Sequence, residues 1–153
     1  MKVNLDNLMR GDLVRVRGTV DYPNIDRYGI PYEEIVPVEE IRFDTIIANG
    51  GNEYQLKDVE DIRLTFDIAH QNGFVALNPM KYIYDIKDAD NKVICYMWLA
   101  EIPHSNIDAF RLTVQHVNED GSTMHVKVST VSELQHALRV CHLGDFAKQI
   151  KIK

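Results

Sequence analysis

No run of 18 apolar residues occurs in the sequence, so no membrane-spanning helix is expected. The opening residues, M-K-V-N-L-D-N-L, lack the long apolar segment of a secretory leader, and the expected location is the cytoplasm. Cysteine is scarce. Cys95 and Cys141 stand far apart with no C-x-x-C, which argues against a disulfide scaffold and fits reduced thiols. The six histidines, His70, His104, His116, His125, His136 and His142, form neither H-x-x-x-H nor H-E-x-x-H, so no histidine metal site is expected. The P-loop, the Rossmann glycine fingerprint and G-x-S-x-G are missing too. Asp88-x-Asp90 starts like a calcium loop, but Val93 stands where the glycine belongs and Leu99 where the bidentate glutamate belongs. No cofactor, metal or catalytic residue is therefore expected. An enzyme would need a site scattered along the chain.

What is present is an ordinary globular balance: 153 residues, 45% hydrophobic and 26% charged, enough for one domain or two very small ones. The net charge of −6 is uneven. Residues 1–73 hold 8 Lys/Arg against 14 Asp/Glu, whereas residues 74–153 hold 9 of each. An acidic front half disfavours broad binding of a phosphate backbone and leaves room for a small basic face.

The most legible element is the stretch S-T-V-S-E-L-Q-H-A-L-R-V-C-H-L-G, residues 129–144. Thr130 followed by Glu133 reads as a capping box. Val131, Leu134, Leu138 and Cys141 recur at helical spacing, with Ala137 beside them, and Gly144 is expected to end the helix. Earlier, Thr65 caps a shorter helix that Gly73 closes, near a boundary at about residue 64. Leu13 to Val20 reads as a strand with Arg15 and Arg17 on one face, either a solvated face or a contact for an anion or nucleic acid. Asp21 to Pro37 holds three of the five prolines and reads as a long loop, its Tyr22, Tyr28 and Tyr32 packing it down or lining a peptide groove. Phe43 to Ala48 is a strand turned by Asn49-Gly50-Gly51-Asn52 into a return through Tyr54 and Leu56, and Val59 to Leu64 follows.

Two hairpins occupy the second half. In the first, around Asp88-Ala89-Asp90-Asn91, an even loop places Ile86 opposite Val93, Tyr84 opposite Cys95 and Tyr82 opposite Met97. The other face then carries Ile83, Ile94, Tyr96 and Trp98. A strand apolar on both faces is covered twice or forms an interface, so Tyr96 and Trp98 are expected to be buried by a helix, by the N-terminal half or by a second copy. In the second hairpin, matching the apolar sets puts Val114 opposite Val126 across a three-residue loop, Glu119-Asp120-Gly121. Lys148 to Lys153 is expected to add an edge strand through Ile150 and Ile152.

The segment G-D-L-V-R-V-R-G resembles the opening strand of KOW-type SH3-like barrels, which occur in ribosomal and transcription proteins. The chain as a whole resembles a family of small uncharacterised proteins of Bacteroides-type gut anaerobes and their phages. Members of that family carry an L-R-I-G-N-x-V start, an L-T-E-E-W-L-x-K-F-G-F middle and a V-H-Q-L-Q-N-L-Y helix near the end. Leu8-Met9-Arg10-Gly11-Asp12-x-Val14 matches the first, Leu64-Thr65 with Asp67 and Gly73-Phe74 the second, and Val131 with Leu134-Gln135 the third. Arg63 and Ile68 stand where the family has Pro and Trp, and Gly144 falls one position late. The resemblance implies a phage or mobile-element setting and brings no activity.

The expected fold is α+β: an N-terminal SH3-like small β-barrel over residues 1–64, then over 65–153 a helix, a four-stranded antiparallel meander and the C-terminal helix. The expected function is non-catalytic, a binding or accessory protein with a protein partner or a second copy of itself and no membrane. The alternative is a nucleic-acid-associated module. Arg15, Arg17, Tyr96 and Trp98 are the candidate binding residues.

Overall fold

Val14 and Val16 point into a core while Arg15 and Arg17 face solvent, and that alternation makes Leu13–Tyr22 a half-buried strand, β1. The computed structural model describes residues 3, 7–103, 109–117 and 123–153. The chain divides into two units, Met1–Arg63 and Leu64–Lys153.

In the first unit β1 turns through a 3-10 segment, Pro23–Ile25, into β2, Arg27–Ile41. The short strands β3 (Thr45–Ala48), β4 (Asn52–Gln55) and β5 (Val59–Asp61) complete a sheet of order β4-β3-β2-β1-β5. The expected loop over Asp21 to Pro37 is therefore a strand, paired from Leu13↔Pro37 to Val20↔Ile30. Its prolines fit for a reason of parity. Val38 donates its N–H to the Asp12 carbonyl and accepts from Gly11, so the even-numbered residues of β2 turn their backbone groups toward β1. Pro31 and Pro37 are odd-numbered and turn theirs away, where a missing N–H breaks no bond with β1. Val14, Val16, Val36, Val38, Ile46, Ala48, Tyr54 and Val59 form the core. Phe43 lies outside β3 and is fully exposed, so that strand starts two residues later than expected. The Asn49-Gly50-Gly51 turn holds all three residues at positive φ, as a tight hairpin requires.

The second unit opens with α1, Phe66–Gln71, and continues with β6 (Val75–Asn78), β7 (Lys81–Lys87), β8 (Val93–Glu101), β9 (Phe110–His116) and β10 (Thr123–Val128). These strands lie in sequence order, each antiparallel to the next, so the meander has five strands rather than four. Helices α2 (Val131–Val140) and α3 (Gly144–Gln149) follow. All three helices sit on one face of the sheet. Phe66 stacks on Tyr82 at 4.4 Å, Phe146 packs on Tyr84 at 4.8 Å, and His116 Nε2 donates to the Cys141 carbonyl at 2.9 Å. Beneath them Cys95, Met97, Leu99, Phe110, Leu112 and Val114 are buried.

Both expected hairpin registers slip by two residues. Ile86 pairs with Cys95 and Tyr84 with Met97 because the turn takes five residues: Asp88 Oδ1 accepts from the N–H groups of Asp90 and Lys92, and a bulge follows. Met124, not Val126, lies opposite Val114. The connecting residues 118–122, with the expected Glu119-Asp120-Gly121 loop, lie outside the described residues, as does His104. A two-residue slip keeps every side chain on its face, so the apolar pattern cannot detect it.

The ends of α1 and α2 follow one motif. At α1, Gly73 takes φ +95° while its N–H bonds the His70 carbonyl and that of Phe74 bonds Ala69. At α2 the left-handed residue is His142 (φ +62°), with Leu143 bonding back to Leu138. Gly144 is thus not the helix end; it starts α3. In place of the expected edge strand over Lys148 to Lys153, Lys148 and Gln149 end helix α3 and residues 150–153 form a tail outside any strand. Asn72 grips that tail, its Oδ1 accepting from the Lys151 N–H at 2.7 Å and its Nδ2 donating to the Lys151 carbonyl at 2.8 Å.

Candidate binding face on the second sheet

With the three helices of this unit on one side, the alternate residues of β6 to β10 form a second face that, among the described residues of the unit, no helix covers. Register arranges them in three cross-strand rows. The middle row is Val75, Ile83, Trp98, Thr113 and His125. On one side runs Lys81, Ala100, Arg111 and Lys127, and on the other Asp85, Tyr96, Gln115 and Thr123. Adjacent rows are two residues apart along a strand, about 6.7 Å. Trp98 is half-buried, and Tyr96 (37% exposed) and Val75 (61%) lie open. The expectation that a helix buries the Tyr96/Trp98 face is therefore corrected: the three helices of this unit pack on the opposite face.

The two aromatic rings are nearly parallel, 22° between planes and 6.1 Å between centroids, on the central strand. Lys81 Nζ stands 5.5 Å over the Trp98 ring. Thr113 Oγ1 and His125 Nδ1 are hydrogen-bonded at 3.0 Å. Arg111 lies directly opposite Lys127, both are exposed, and among the described residues neither forms an ion pair. Like charges placed opposite each other on a sheet destabilise it.

Arg15 and Arg17 show the contrast. They lie together on the solvent face of the first sheet, and both are neutralised. Arg15 Nε meets Glu33 at 3.0 Å and Arg17 Nε meets it at 3.2 Å, while an Arg17 terminal nitrogen meets Glu60 at 2.9 Å. Two carboxylates against two guanidiniums leave this patch without excess charge.

Burial pushes the Cys95 thiol up to about 11 and raises that of Cys141, so neither is an activated nucleophile. The Tyr32 and Tyr54 hydroxyls lie 2.7 Å apart, and that bond more than burial pushes the Tyr32 phenol up to about 12. Tyr32 lines a polar recess of about 280 Å3 with Thr19, Val20, Tyr22, Glu34, Asn49 and Asn52. Tyr22 and Tyr28 are largely exposed. A second recess of about 330 Å3 is lined by His116, Cys141 and His142 among others, where His116 is already spent on the Cys141 carbonyl. Among the described residues no three His, Cys, Asp or Glu side chains gather as metal ligands, and no helix is long and apolar enough to cross a membrane.

Sequence reasoning found Tyr96 and Trp98 through the two-sided apolar pattern of Ile94 to Leu99. It missed Lys81, Arg111 and Lys127. The available signal was that each cation alternates with apolar or aromatic residues of the covered face along its strand, Tyr82 for Lys81, Phe110 and Leu112 for Arg111, Val126 and Val128 for Lys127, hence points to the outer face. No family model matches the chain, and neither a curated protein nor a solved structure matches it.

Proposed function

We propose that the chain is a non-catalytic binding protein and that the helix-free face of its second sheet receives an anionic ligand. The observation that carries this is the row Lys81, Arg111 and Lys127 beside the exposed Tyr96 and half-buried Trp98, with the Arg111–Lys127 repulsion unrelieved among the described residues. An anion lying along the row would relieve it. The neutral, raised thiols of Cys95 and Cys141 and the paired Arg15 and Arg17 favour no competing site. The first unit is read as SH3-like on the strength of its 15-residue strand β2, which pairs β1 along its first part and β3 along its last. Kinship with the Bacteroides-type phage and mobile-element proteins rests on the order of the three matched motifs.

Trp98 is the only tryptophan, so its fluorescence reports on this face alone. Titration with sodium polyglutamate, heparin and an oligonucleotide at low salt should give a saturable change with at least one of them. The Lys81→Ala/Arg111→Ala/Lys127→Ala variant should lose that change. No response to any polyanion overturns the reading.

A further inference from the structure

Resting on that reading, we infer that the ligand is single-stranded nucleic acid, its phosphates along Lys81, Arg111 and Lys127 and its bases stacked on Tyr96 and, once Lys81 turns from the ring it now covers to a phosphate, on Trp98. Three features select it among anions. First, the cations form one row across the strands, and the aromatic rings lie one and two rows away from it, so charge and ring faces are presented side by side to one ligand. A polymer that alternates a phosphate backbone with planar bases has that same two-sided character; an acidic peptide would satisfy the cations and leave the ring faces with no planar partner. Second, the rings are near-parallel, 22° apart, so neighbouring bases meet similarly inclined platforms. Third, Gln115 beside Tyr96 and His125 in the row of Trp98, whose Nδ1 is bonded to Thr113 and whose other ring nitrogen is a further hydrogen-bonding group, are side chains able to meet base edges. In a duplex the bases stack on one another and expose no face to a sheet, so the paired form is excluded from this mode.

The structure sets magnitudes. Three phosphate contacts to a single strand give a slope of log affinity against log salt of about −2. Removing one stacking ring should weaken binding about tenfold or more. The test is fluorescence anisotropy of an end-labelled 12-residue oligodeoxythymidylate with the full chain, read at several salt concentrations. The expected results are saturable binding, a slope near −2, and at least tenfold weaker binding of a labelled duplex. Trp98→Ala and Tyr96→Ala should each weaken binding about tenfold, while Trp98→Phe, which keeps a ring, stays within about threefold. Circular dichroism confirms that each variant is folded, and Trp98→Phe keeps the test decisive if Trp98→Ala is not. If polyglutamate or heparin perturbs Trp98 but the single strand does not bind, or if duplex and single strand bind alike with no loss in Trp98→Ala, the base-stacking inference falls and the anion-binding reading stands. If no polyanion binds, both fall. If light scattering shows a dimer that Trp98→Ala converts to a folded monomer, the face is a contact between copies and the inference is wrong.

Discussion

Two glycines of the second unit should respond to the same substitution with opposite signs. Gly73 sits at φ +95°, and a Cβ there would lie 2.6 Å from Tyr84 Cε2 and 3.3 Å from Cδ2. The Tyr84 ring cannot retreat freely, because Phe74 packs against it at 5.4 Å and Phe146 at 4.8 Å. Gly73→Ala therefore incurs backbone strain of about 1–2 kcal/mol. It also loses part of two aromatic contacts, each worth about 0.5–1.5 kcal/mol beyond their area. The gain from a less flexible unfolded chain, about 0.4–1 kcal/mol, offsets some of this. The net destabilisation expected is about 1–3 kcal/mol. Gly144 opens α3 at a negative φ with nothing within 4 Å of its Cβ position, so Gly144→Ala should stabilise by about 0.5 kcal/mol. Urea unfolding followed by Trp98 fluorescence measures both, since Trp98 belongs to the same unit. In a Tyr84→Leu background the cost of Gly73→Ala should fall toward the strain alone, the non-additivity expected of touching residues. A Gly73→Ala midpoint equal to that of the parent chain would refute the reasoning.

Thr130 Oγ1 accepts the Glu133 N–H at 3.2 Å, so Thr130→Ala should cost about 1 kcal/mol in the same urea assay and Thr130→Ser much less; equal losses in the two variants would show that the cap bond is not the cause. Stability should also fall at alkaline pH. The folded state holds Cys95 protonated, its pKa raised from 9.0 to about 11, so this contribution is complete below pH 9 and is lost as pH climbs through 11. Tyr32 in the first unit adds the same sign between 10.0 and about 12. A urea midpoint, read by Trp98 fluorescence, that holds level from pH 9 to 11 would contradict the raised thiol.

Helix termini were legible because their signals are local. Thr65 accepts the Ile68 N–H, Thr130 accepts that of Glu133, and Gly73 takes the left-handed position. The capping box itself is shifted: Glu133 reaches the Ser129 N–H at 3.0 Å, one residue before the cap. His142 was missed as a left-handed residue because Gly144 two positions later offered the stronger signal, and the chain used that glycine to enter the next helix. β2 was misread because a count of prolines ignores their parity. Pro31 and Pro37 share the side of the strand that turns away from β1, so neither interrupts that pairing.

The candidate face shows where periodicity stops carrying information. That Arg111 and Lys127 point outward follows from alternation, but what each meets depends on register. With Val114 opposite Val126, as the apolar sets suggested, Arg111 would face Ser129. In the structure it faces Lys127, and Ala100 and Lys81 extend the same row. Two such slips, one in each hairpin and both leaving every side chain on its face, thus turn three scattered cations into one line. The first sheet places its arginines beside Glu33 and Glu60, so cationic strand faces in this chain can be neutralised from neighbouring strands. The second sheet has carboxylates available at Asp85 and Glu101, yet Asp85 stands two rows away and Glu101 pairs with Phe110 in the register of the covered face. The Arg111–Lys127 repulsion, unrelieved among the described residues, therefore follows from where these residues stand, and the ligand proposed above would compensate it.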